Sequence, residues 1–101
     1  MKVWSGRGIR EGSNIWPWRY RLEYDDSTGI VRGALAVEGW EESRSMADWA
    51  EARRGGPIRI TLLSDGGAVD LEIGIQGISS HESGHYSETD LQVEGRIAGC
   101  P

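Results

Sequence analysis

The sequence predicts a mainly β domain: an antiparallel curved sheet or small barrel of five or six strands, with one short helix between the third and fourth strands. Three observations carry this. Residues 16–24 alternate strictly, with Trp16, Trp18, Tyr20, Leu22 and Tyr24 on one face and Pro17, Arg19, Arg21 and Glu23 on the other, the period of a half-buried strand. The same alternation returns in later segments separated by Gly-, Asp- and Ser-rich turns. Only one stretch, around Met46 and Trp49, carries helical spacing.

The elements follow in order. Residues 3–9 form a strand ahead of Trp16. Pro17 has no N–H for a ladder and marks a strand start or an edge. Asp25-Asp26-Ser27-Thr28-Gly29 is turn chemistry, and residues 30–40 return as a strand with Val31, Gly33, Leu35 and Val37 on one face. Ser45 is the expected helix cap, with Asp48 three residues on. Met46, Trp49, Ala50 and Arg53 make one stripe, and Gly55, Gly56 and Pro57 stop the helix. So short a helix is not stable alone and must dock Trp49 and Met46 onto the sheet.

A second hairpin follows. Ile58, Ile60 and Leu62 lead into the turn Ser64-Asp65-Gly66-Gly67, and Val69, Leu71, Ile73 and Ile75 lead out. Residues 79–90 are polar and read as an irregular inter-strand loop. A last strand, 89–98, places Leu91, Val93, Gly95 and Ile97 on one face. Gly33, Gly74 and Gly95, inside three strands, are where a curved sheet bends. Three strands, a helix and further strands form an order of elements that resembles the oligonucleotide/oligosaccharide-binding barrel.

At 101 residues the chain is one domain with a modest core. No run approaches the ~20 apolar residues of a membrane span, and the N-terminus does not open as a secretory signal, so a soluble cytoplasmic protein is expected. Arginine far outnumbers lysine, a codon bias that suggests a bacterial or phage genome. Net charge is −5, divided between +2 in residues 1–34 and −7 in the remainder. That balance disfavours nucleic acid as a partner, because its binding rests on neutralising phosphates. A basic protein surface or a small polar ligand suits it better.

His81-Glu82-Ser83-Gly84-His85 fits the H-E-x-x-H pattern of zinc peptidases, in which one helix face presents both imidazoles to the metal. Its surroundings hold no apolar stripe for a helix and no third histidine, so the expectation is a solvated loop with no metal, no cofactor and no catalytic residue. Cys100 stands too near the terminus to be held as a nucleophile.

Five tryptophans and no phenylalanine are an unusual choice. Tryptophan joins a large apolar area to an N–H handle, which suits interfaces and ligand platforms. Trp16 and Trp18 flank Pro17 at a strand end and are expected to be the most exposed. With Arg19, Arg21 and Trp40 they are the candidate binding residues. The function expected is that of a non-catalytic, protein-binding accessory, inhibitor-like or immunity-like domain. A carbohydrate-type ligand on Trp platforms is the alternative, and a zinc peptidase the remote third. An uncovered strand edge at 16–24 or 89–98 is expected to permit a homodimer.

Overall fold

The computed structural model describes residues 2–64 and 67–98. The elements are β1 (Lys2–Glu11), β2 (Asn14–Asp25), β3 (Ile30–Glu38), α1 (Trp40–Ala52), β4 (Ile58–Ser64), β5 (Gly67–Ser83) and β6 (Tyr86–Ile97). Asp65 and Gly66 of the expected turn, and Cys100, lie outside the described residues.

The strands close into a barrel in the order β1-β2-β3-β6-β5-β4, every neighbouring pair antiparallel. It is built from two three-stranded meanders joined through α1, with β3 laid against β6 and β1 against β4. Six antiparallel strands set it apart from the five-stranded oligonucleotide/oligosaccharide-binding barrel, whose element order the sequence resembles.

Alternation decides which side chains enter the barrel. Trp18, Tyr20 and Leu22 of β2, Val31, Leu35 and Val37 of β3, and Leu91 and Val93 of β6 are all buried. Across the interior, Ile58, Ile60 and Leu62 of β4 meet Leu71 and Ile73 of β5. The β1–β4 seam is narrow, with register partners Ile9↔Leu62 and Arg10↔Thr61. Tyr20 spans beneath it, its hydroxyl donating to the Leu63 carbonyl at 2.9 Å. Gly33 and Gly95 are the bends that matter most. A Cβ on Gly33 would strike the Arg21 carbonyl oxygen of β2, and one on Gly95 would strike the Glu72 carbonyl oxygen of β5. Only glycine lets these strands approach so closely.

Three expectations are corrected here. The helix begins at Trp40 rather than at a Ser45 cap, its N-cap is Gly39, and no side chain bonds to the cap. Glu41 and Glu42 in the first turn favour the helix dipole instead. Residues 79–90 are no loop: β5 and β6 continue as a hairpin to the pair Ser83↔Tyr86, leaving Gly84 and His85 as the turn. The period was hidden because Ser87 and Thr89, small polar residues, occupy core-facing positions under α1. Thr89 there sets its hydroxyl 3.3 Å from the Ser43 carbonyl of the helix.

The third correction concerns strand edges. Residues 19–24 of β2 are paired with both β1 and β3, and residues 89–96 of β6 with both β3 and β5. Neither strand offers the long open edge expected for a homodimer.

Candidate functional site

Helix α1 closes one end of the barrel, and the tryptophans divide around it. Trp18 is 2% exposed, which corrects the expectation that it stands at the surface. Its ring stacks on Trp16 at 4.7 Å, and Trp49 of the helix sets its edge against both. Glu11 fastens this cluster. Its carboxylate accepts hydrogen bonds from Trp49 Nε1 at 3.0 Å and from Arg53 Nε and Nη2 at 2.8 Å each. The Arg53 guanidinium also lies over the Trp49 ring. Burial pushes the Glu11 pKa up, but the bonds from Arg53 and Trp49, with the Arg53 charge, outweigh it and hold the carboxyl below its ordinary value. Trp16 is partly buried in this cluster, so the pair flanking Pro17 forms no open aromatic platform.

Trp40 behaves differently. It lies on the helix face away from the buried stripe, about 120° round from Met46 at ~100° per residue, beside Arg44, and is 47% exposed. The Gly39 N–H donates to the Ser87 carbonyl at 2.8 Å, tying the start of the helix to the β5–β6 hairpin. One residue to either side of that bond stand Trp40 and Tyr86, and Tyr86 is 44% exposed.

Charged residues stand near each of these aromatics, Glu41, Arg44 and Asp48 by Trp40 and Glu38, Glu88 and Arg19 by Tyr86. Glu38 and Glu88 are register partners on the outer face, as are Glu88 and His81. Glu41 and Glu42 follow in the helix. Arg19 donates to Glu38 at 2.9 Å, an exposed pair that fixes position more than stability. Tyr86 donates its hydroxyl to Glu88. That bond, reinforced by partial burial and the negative charge of Glu38, raises the Tyr86 pKa to about 12. Burial raises the pKa of Asp90, and repulsion from Glu88 adds to it, opposed by His81 and Arg19. Carboxylates outnumber the arginines Arg7, Arg19 and Arg44 that stand among them, so the corner is mixed in sign with an acidic excess.

Arg21 lies on the same outer sheet, opposite Ser5 and Ala34, and lines a shallow depression with Gln76 and Gln92. Of the five expected binding residues, the fold therefore brings Arg19 and Trp40 to the acidic corner and leaves Arg21 beside it. Trp18 goes to the core and Trp16 to its margin. Tyr86, Glu38 and Glu88 were not singled out from the sequence. The signal that points to them is the Gly84-His85 turn, which once recognised gives residues 86–97 a single alternation.

The zinc motif loses its helix. His81 is in β5 and His85 is in the turn, so their spacing no longer describes one helix face. Among the described residues, no group of three or more His, Cys, Asp or Glu side chains is placed to hold a metal ion. Among the same residues, no helix is long and apolar enough to cross a membrane. Comparison with protein families, curated proteins and solved structures gives no match. Fold and surface together define a small antiparallel barrel with a packed aromatic end and an acidic, aromatic-bearing corner.

Proposed function

We propose that this chain is a non-catalytic binding domain that recognises another protein, in the manner of an accessory, inhibitor or immunity component. One observation carries the reading: two exposed aromatics, Trp40 and Tyr86, stand on segments tied by the Gly39–Ser87 bond, with Glu38 and Glu88 near Tyr86 and Glu41 and Asp48 near Trp40. Exposed aromatics supply contact area and the carboxylates choose the charge, so the partner presents a basic surface with an apolar centre. Arg19 orients Glu38 within the corner, Arg7 and Arg44 are further cations there, and Arg21 lies two residues along β2. The ligand-platform alternative is less well supported, because Trp16 and Trp18 are stacked beneath Trp49. A cytoplasmic location is part of the same proposal.

The test is affinity capture from the native host, using purified wild type and the double variant Trp40→Ala/Tyr86→Ala. A basic protein held by wild type, released as salt is raised, and lost from the double variant supports the reading. Equal retention by both forms, or retention indifferent to salt, refutes it.

A further inference from the structure

The barrel is closed by its ladders, but β5 outruns its partner. The β4–β5 ladder begins at Ile58↔Ile73, while β5 continues to Ser83 and is paired over that length only with β6. Residues 79–83 are exposed, and among the described residues no further backbone hydrogen bond reaches them.

The turn fixes which backbone groups are free. Gly84 takes φ 56 and His85 does not adopt a positive φ, the pattern of a two-residue hairpin turn with glycine first. Residues flanking such a turn exchange both ladder bonds, and bonding alternates from there. Ser83, His81 and Ser79 therefore direct N–H and C=O toward β6. Glu82, Ser80 and Ile78 direct theirs outward. Edges of this kind are usually guarded by charged side chains, above all Lys, by Pro or by a β-bulge; here the guards are Glu82 and the bulge at Ile75–Gly77. Residues 77–83 hold neither Lys nor Pro, and three of them are serines too small to obstruct a neighbouring strand.

We infer that the outer edge of β5 at residues 78–82 takes an extended, Lys- or Arg-bearing segment of a partner protein as an added antiparallel or parallel strand. The inference rests on the proposed protein-binding role and names how the partner attaches. Charge selects the occupant. Glu82 lies on the edge itself, on the sheet face of its partner Ser87, and Glu88 and Asp90 lie on the adjoining strand on the opposite, outer face. A second copy of this chain would bring Glu82 toward its own counterpart across the seam, so a basic segment is favoured over self-pairing. Backbone bonds would supply affinity without demanding a particular sequence, and long cationic side chains would reach the acidic strand behind.

The probe is the synthetic peptide (Lys-Thr)4, with (Glu-Thr)4 as its charge-reversed counterpart, followed by amide hydrogen exchange and titration. Binding of the lysine peptide should slow exchange at Ile78, Ser80 and Glu82 and leave the already bonded Ser79 and His81 little changed. Glu82→Ala keeps the outward N–H, whereas Glu82→Pro removes it without touching the β6 ladder. The proline variant should therefore bind about tenfold more weakly than the alanine variant. Absence of binding, equal binding of the two peptides, unprotected amides, or equal affinity of the two variants each overturns the inference. So does protection in the free protein that grows with its concentration, which would assign the edge to a second copy. The native-host capture separates this from the broader proposal. If Trp40→Ala/Tyr86→Ala loses the partner while Glu82→Pro and Glu82→Ala retain it alike, the corner stands and the edge falls.

Discussion

Two regions of this barrel are made from the same materials, indole rings and Glu–Arg pairs, and are put to opposite uses. At the packed end, Trp16, Trp18 and Trp49 interlock, and Glu11 accepts from both Trp49 and Arg53. At the acidic corner, Trp40 and Tyr86 are uncovered, and the Arg19–Glu38 pair is open to water. The difference is what lies opposite each ring. Trp18 meets a helix residue 31 positions later in the chain. Trp40 begins that helix on the face away from the buried stripe and lies half-exposed beside Arg44 and Asp48.

Substitutions should separate the two regions sharply. Trp49→Ala removes the ring against which Trp16 and Trp18 pack and the donor to Glu11, and should cost about 3–5 kcal/mol in urea denaturation. Trp40→Ala should change stability by less than about 0.5 kcal/mol. A comparable loss for both would erase the distinction.

Glu11→Gln should cost about 2 kcal/mol, because it weakens two charge-assisted bonds and leaves Arg53 without its counter-charge. The sign of its pH dependence follows from the depressed pKa. Stabilisation by the carboxylate is present above the unfolded value and is lost as pH falls through the lower folded value. Wild type should therefore lose stability on acidification across that window, and the difference from Glu11→Gln should shrink. A difference independent of pH there would remove the ion pair from the account.

The smallest expected effect is spectroscopic. Glu88→Ala takes away the acceptor of the Tyr86 hydroxyl, so Tyr86 should titrate lower, from about 12 toward the ordinary 10.0, when followed by its ring NMR signals. An unchanged midpoint would mean that the corner is less crowded with charge than its geometry implies.

Where residues and burial agree locally, the fold was legible. The alternation in residues 16–24 gives the inward face of β2, although the neighbouring Pro17 wrongly suggested that Trp18 is exposed, and Met46, Trp49 and Ala50 mark the buried helix stripe. The failures share a cause, dependence on distant partners or on backbone alone. Gly39 begins the helix with no capping side chain to read. Ser87 and Thr89 face inward because the helix covers them, which interrupts the apolar period of β6 and disguises a hairpin as a loop. The exposure of Trp40 was hidden by the expected start at Ser45; once the helix begins at Trp40, its period sets that ring about 120° from Met46, on the outer face.

The most direct test is a hydrogen-exchange footprint of the chain bound to its captured partner. Protection should gather at residues 38–42 and 78–90, with the opposite end around Trp4 and Tyr24 unchanged. Protection centred on that opposite end, with the acidic corner still exchanging as in the free protein, would contradict the central claim.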